Sequence, residues 1–139
     1  MRYLLLLLWL NIIFTLNGCN VPTEPRENIS DSFFRQYPKL WPIAQERMEN
    51  AKIKLHSIND VRNLQNEFIT IWEVENFEPT IEIVFARGLV GNCKSAAVLG
   101  KWSLNQVGIK SFYINLYGKN QYPHRVCVTN NYDLMISNN

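Results

Sequence analysis

The chain carries no strong charge of either sign: 14 Lys and Arg stand against 12 Asp and Glu in 139 residues. Lys and Arg are scattered among acids and amides, so the basic stripe of a nucleic-acid binder is missing. No Cys/His pair has zinc-ligand spacing, no glycine-rich loop precedes a basic helix, and no calcium-loop pattern of acids occurs. No cofactor or metal is implied. Internal repeats and low-complexity tracts are also lacking after residue 30. What the chain has in quantity is apolar. Hydrophobic residues make up 47%, enough for a packed core and too many for a disordered chain.

The first 19 residues form a unit of their own. Arg2 precedes an apolar stretch from Tyr3 to Phe14, broken only by Asn11, and Thr15, Leu16, Asn17, Gly18 and Cys19 follow. This run falls short of the roughly 20 residues of a membrane span, and its basic start and small residue before a cut fit a secretory signal. Leu16-Asn17-Gly18-Cys19 resembles a bacterial lipobox, which implies cleavage after Gly18 and lipidation of Cys19. The plainer alternative is an ordinary signal cut near Gly18 with an incidental cysteine. In lipoproteins of that type, Asn20 rather than Asp after the cysteine implies the outer membrane. The expected organisation is a signal peptide over 1–18, a tether over 19–30 containing Pro22 and Pro25, and a single domain over 31–139. The mature chain has 13 basic and 12 acidic residues among 121, and that length buries a core without disulfides or a metal.

The apolar pattern changes from helical to alternating near residue 110, which predicts an α+β domain with N-terminal helices packed on a C-terminal antiparallel β-meander. A helical turn is expected over Ser30 to Tyr37, stopped by Pro38. Pro42 suits the first turn of a helix whose buried face is Trp41, Ala44, Met48, Ala51 and Leu55. Asn59 or Asp60 can cap a second helix that buries Val61, Leu64, Phe68 and Trp72. Pro79 to Arg87 fits either a strand or a short helix, and the family resemblance described below selects the helix. A further helix from Cys93 to Val107 shows one face to Ala97, Gly100, Leu104 and Val107, with Gly108 as its left-handed stop and Ile109 as the apolar contact beyond it. Strands are expected at 111–117, 122–129 and 132–137. Gly118 to Gln121 turn the chain between the first two, and Asn130-Asn131 form a two-residue hairpin loop between the last two. Trp41, Trp72, Trp102, Met48 and Met135 read as core, and His56 as a solvated residue at a helix end.

Gly91-Asn92-Cys93 puts a cysteine at a helix start, where unpaired N–H groups and the helix dipole favour a thiolate and can bind a developing oxyanion. His124 opens a following strand, and a neighbouring imidazole is the usual base for such a thiol. With a two-residue loop, Thr129 faces Tyr132, Val126 faces Met135 and His124 faces Ser137, which could orient the ring. One more loop residue would bring Asn138 there instead. Asp133 shares the face of His124 but lies at the hairpin tip, too far away to be its partner. Cys127 is out of phase with His124 and should point to the opposite face. A Cys93–Cys127 disulfide is the plain structural reading of these two thiols in an oxidising compartment, and the strand phase argues that they do not meet.

The order of these residues resembles the transglutaminase-like cysteine peptidases, a papain-like group. The likeness spans roughly Pro79 to Asn138 and rests on Pro79-Thr80-Ile81-Glu82, Gly91-Asn92-Cys93, Gly108-Ile109, His124 and Ile136-Ser137-Asn138. It implies a transglutaminase/papain-like core and a thiol hydrolase of amide bonds, with Cys93 as nucleophile and His124 as base. The family's third catalytic residue, an Asp, falls on Ser137, with Asn138 matching the Asn after it. Ser137 can orient an imidazole but cannot offset its charge. Asn92 and Lys94-Ser95 replace the acids that usually flank the cysteine, and the chain ends at Asn139, where relatives continue with further strands or a helix. Papain-like murein endopeptidases are a related option, although their Cys-to-His spacing generally exceeds the 31 positions here. The expectation is an envelope lipoprotein, facing the periplasm from the outer membrane, that acts on a peptide or protein substrate, contacts membrane through Cys19 and does not bind nucleic acid. The alternative is a non-catalytic lipoprotein using the same scaffold to bind a protein partner.

Overall fold

The computed structural model of the chain describes residues 29–72, 77–117 and 123–136. Helices come first and an antiparallel sheet last, an α+β arrangement of the predicted order. The helices are α1 (Ile29–Gln36), α2 (Leu40–Lys54), α3 (Ile58–Asn66), α4 (Ile81–Ala86) and α5 (Cys93–Gln106). The sheet is β3 (Ser111–Tyr117), β4 (Pro123–Thr129) and β5 (Met135–Ile136), in the order β3-β4-β5. A short parallel pair, β1 (Ile69–Thr70) with β2 (Val90–Gly91), is an addition to the sequence reading. Among the described residues, no helix is long and apolar enough to cross a membrane.

α1 ends two residues before Pro38, whose ring disfavours helix in the residue ahead of it. α2 buries Ala44, Met48 and Ala51 at steps of four and three, with Leu55 buried just beyond its end. Trp41 departs from the expectation: it is 45% exposed, because Phe34 of α1 takes the core place and meets the indole edge-on at 4.9 Å. Arg47 reaches from α2 to the end of α4, where its Nη1 donates to the carbonyls of Phe85 (2.8 Å) and Ala86 (3.2 Å). It thereby joins the Gly88 N–H on the Phe85 carbonyl and gives the Ala86 carbonyl a partner at the helix end.

The cap of α3 is Ser57, not Asn59 or Asp60. Its hydroxyl accepts from the Asp60 N–H and donates to the Asp60 carboxylate, which also accepts from the His56 N–H. This reciprocal box outcompetes the single caps, and its hydrogen bonds hold the Asp60 carboxyl below its ordinary range. Val61 is fully buried, but the helix stops at Asn66 and the chain turns into β1. Phe68 therefore only flanks the core, and Trp72 is fully exposed rather than buried.

Residues 81–86 are helical, as the family resemblance selected, and two left-handed residues, Gly88 (φ 76°) and Leu89 (φ 60°), turn the chain into β2. α5 ends in a Schellman motif: Gly108 (φ 77°) donates to Asn105 and Ile109 to Leu104. Its buried face is built of small residues where the sheet crosses it. Ala96 and Ala97 are fully buried, and a Cβ on Gly100 would stand 2.9 Å from Ile136 Cγ2 and 3.4 Å from Cys127 Cβ.

That contact decides which face of the sheet meets the helix. Cys127 pairs with Ile136 and with Tyr113, so all three point towards α5, together with Arg125 and Thr129 of the same strand phase. Phe112, Ile114, Leu116, His124, Val126 and Val128 form the other face. The hairpin register also differs from the two-residue count. Thr129 donates to Leu134, Val128 pairs with Met135, and residues 130–133 make a four-residue loop. Tyr132 (φ 57°), not an Asn, takes the left-handed place, and Thr129 closes the loop by donating its hydroxyl to Asp133. Met135 is 58% exposed, not core. The expected turn over 118–121 lies outside the described residues.

Two apolar clusters form the interior. One joins α1, α2, α4 and Leu99, and the other joins Leu55, Val61, Ala97, Leu104, Cys127 and Ile136. Leu64 and Trp102 touch both, so α5 ties the helical half to the sheet.

Gly100→Ala tests this packing. Overpacking against Ile136 costs about 1–3 kcal/mol, which exceeds the ~1 kcal/mol that alanine returns in helix propensity. The urea midpoint should fall. Adding Ile136→Ala, which removes the clashing methyl, should make the pair less destabilising than the sum of the single changes.

Candidate functional site

Cys93 is the first residue of α5, and two devices fix it there. The β1–β2 pair holds the preceding turn, with the Ile71 N–H on the Gly91 carbonyl at 2.9 Å. Asn92 caps the helix, its side-chain oxygen accepting from the Lys94 N–H at 2.9 Å. Gln65 adds a brace by donating Nε2 to the Ala96 carbonyl in the first turn of α5. The thiol is free and half-buried.

α5 and β4 run in the same direction. Their starts are joined through Glu78, whose carboxylate pairs with Arg125 and lies 3.7 Å from Lys94 Nζ, and further along Gly100 touches Cys127. The seven residues from Cys93 to Gly100 rise about 10 Å, and the three from His124 to Cys127 also rise about 10 Å. The backbones of Cys93 and His124 therefore stand at one level. Their side chains are not brought together in the same way. Strand alternation turns Arg125 and Cys127 towards α5 and His124, half-buried and paired with Leu116, to the other face. Among the described residues, no hydrogen bond joins Cys93 to His124.

Cys127 is free and fully buried, and burial pushes its thiol up. Cys127 does point away from His124, as expected, but towards α5. It misses Cys93 because it meets the helix at Gly100, about 10 Å along from the helix start. That separation exceeds the reach of a disulfide. Ser137, Asn138 and Cys19 lie outside the described residues. The count that set Ser137 opposite His124 does not hold, since the observed pairs place every β5 partner two positions further along.

Sequence reasoning missed the ion cluster of Glu78, Lys94 and Arg125. The Arg125 guanidinium hydrogen-bonds Glu78 through both terminal nitrogens, and its Nε donates to Asn115 Oδ1 at 3.1 Å. Arg125, chiefly through that hydrogen bonding, holds the Glu78 carboxyl below its ordinary value, with Lys94 adding to the effect against partial desolvation. The signal was the Arg125-Cys127-Thr129 phase, which becomes readable once Gly100 fixes Cys127 on the helix side. Among the described residues, no group of three or more His, Cys, Asp and Glu could hold a metal ion.

The lowered Glu78 value has a definite consequence. Its stabilisation is present above the ordinary glutamate value of about 4.3 and is lost as pH falls through the folded-state value below it. Glu78→Gln should therefore lower the urea midpoint at neutral pH, and the gap from wild type should close in acid. Comparison with protein family models, curated proteins and solved structures gives no match to this chain.

Proposed function

We propose that the chain is an envelope lipoprotein whose domain hydrolyses a peptide or related amide bond through Cys93, with His124 as general base. The observation that carries this reading is a free, half-buried thiol on the first residue of a 14-residue helix whose start is joined through Glu78 to the start of the strand that holds His124. The Cys93 thiolate attacks the scissile carbonyl, and the Cys93 backbone N–H at the positive end of α5 receives the oxyanion. The amine leaves with a proton from His124, and water then hydrolyses the thioester. On this reading α5 and β3–β5 are the transglutaminase/papain-like core, and the family resemblance implies Ser137 at the third position, followed by Asn138.

For the base to work, the His124 ring must turn to the α5 side. It is the second residue of β4, where the ladder begins at Pro123 opposite Tyr117, so the turn disturbs only the strand end. A second reading is favoured by one observation: Arg125, fixed by Glu78, occupies the helix-facing place in this arrangement. The protein is then a non-catalytic scaffold that binds a partner.

The rate of Cys93 alkylation by iodoacetamide separates the two. In the hydrolase reading, His124→Ala slows alkylation near neutral pH by about tenfold or more, and Cys93→Ala supplies the blank because Cys127 is buried. An unchanged rate favours the scaffold. Anchoring is tested separately. Mass spectrometry of the membrane fraction should find Cys19 as a diacylglycerol-modified first residue, and Cys19→Ser should release the protein with its domain folded. A mature form starting elsewhere would remove the lipoprotein reading.

A further inference from the structure

β3 is an edge strand of the described sheet, and its hydrogen-bonding parity can be worked out. The Asn130 N–H donates to the Lys110 carbonyl at 3.1 Å, and the register places those residues opposite each other. Hydrogen-bonded pairs alternate along an antiparallel ladder, so Phe112, Ile114 and Leu116 bond to β4. Thr129 bonding to Leu134 on the far side of β4 agrees with that parity. The N–H and C=O groups of Ser111, Tyr113, Asn115 and Tyr117 therefore point outward from the sheet. Among the described residues nothing pairs with them, and Tyr113, Asn115 and Tyr117 are exposed.

Beside this edge lies a groove of about 660 Å³, walled by the outer side of α5, the chain at 79–81 and the start of β3. Its apolar wall includes Val98, Trp102 and Ile81, and its charged lining residues are Lys101 and Lys110. No described carboxylate pairs with either lysine. Lys101 lies over the Tyr113 ring at 4.6 Å and so sits at the edge itself. The adjoining groove continues past Lys110 to Arg62, with Asp133 as its acid.

We propose that the β3 edge and this groove bind an extended acidic peptide segment of a partner protein, which adds to the sheet as a strand. Outward backbone groups supply the ladder, and the two lysines select charge. Alternation then fixes the peptide's pattern. Side chains on the α5 side meet Lys101 and are acidic, while those between them lie beside Phe112, Ile114 and Leu116 and are apolar, save at the groove end, where Lys110 precedes Phe112 in the same phase. The exposed edge from Ser111 to Tyr117 is about 20 Å long, which suits a strand of about six to eight residues. Nucleic acid fits less well, because the groove offers few cations and hydrocarbon walls.

The test is fluorescence anisotropy of a labelled peptide of alternating Glu and Val, added to the full chain in detergent. The chain carries Cys93→Ala so that thiol chemistry plays no part. Binding is expected, with a loss of tenfold or more for Lys101→Glu combined with Lys110→Glu. Equal binding of a Lys/Val peptide, wild-type affinity in the double variant, or equal competition by a single-stranded oligonucleotide each overturns the proposal. Hydrogen exchange tests the ladder without relying on a variant's folding. Peptide should protect the amides of Tyr113, Asn115 and Tyr117 and leave those of Phe112, Ile114 and Leu116 as they were. No added protection at the first set overturns strand addition.

Discussion

The missing side chain at Gly100 sets how near α5 comes to the sheet. With Ala96 and Ala97 beside it, the helix presents a smooth surface on which Cys127 and Ile136 sit directly. A mid-helix glycine sacrifices about 1 kcal/mol of helix stability, and here it admits two buried cross-strand neighbours. Because side chains alternate along a strand, fixing Cys127 against the helix fixes the facing of every other residue in β4 and, through the register, in β3. Arg125 is thereby placed over the start of α5, where Glu78, which it shares with Lys94, receives it.

The same constraint gives the sheet an unusual polarity. The side towards α5 carries Ser111, Tyr113, Asn115, Arg125 and Thr129, while Phe112, Ile114, Leu116, Val126 and Val128 lie opposite. The polar side is made tolerable by pairing: Arg125 with Glu78 and Asn115, Lys101 with the Tyr113 ring, and Thr129 with Asp133. Partial desolvation raises the Tyr113 phenol and full burial the Cys127 thiol, so both stay neutral within this layer at physiological pH. Of the two described cysteines, Cys93 alone is not fully buried.

Local signals in the sequence were enough for the parts that local physics builds. Pro38, Pro42, the Gly108-Ile109 stop and the spacing of Ala44, Met48 and Ala51 each act within one or two turns, and the helices follow them. The Cys93 helix start is of this kind, since Asn92 caps it through its own side chain. What depended on distant partners was not legible. Asn130-Asn131 invites a two-residue turn, but the fit of Ile136 against Gly100 pulls the register two places, and Tyr132 accepts the left-handed backbone instead. Trp72 continues the α3 period, yet pairing of Ile69 and Ile71 with the chain before Cys93 ends that periodicity. The facing of His124 was set by the same long-range contact, and a two-residue count from the hairpin could not supply it.

The central claim is that the thiol at the start of α5 and the imidazole at the start of β4 act as a unit. The most direct measurement is bridging of the two groups by a short bifunctional alkylating agent, followed by peptide mapping. If they act as a unit, a Cys93–His124 bridge forms in the wild-type chain and none in His124→Ala. Alkylation of Cys93 without any bridge, with the fold intact in both, would contradict it and leave Cys93 without its base.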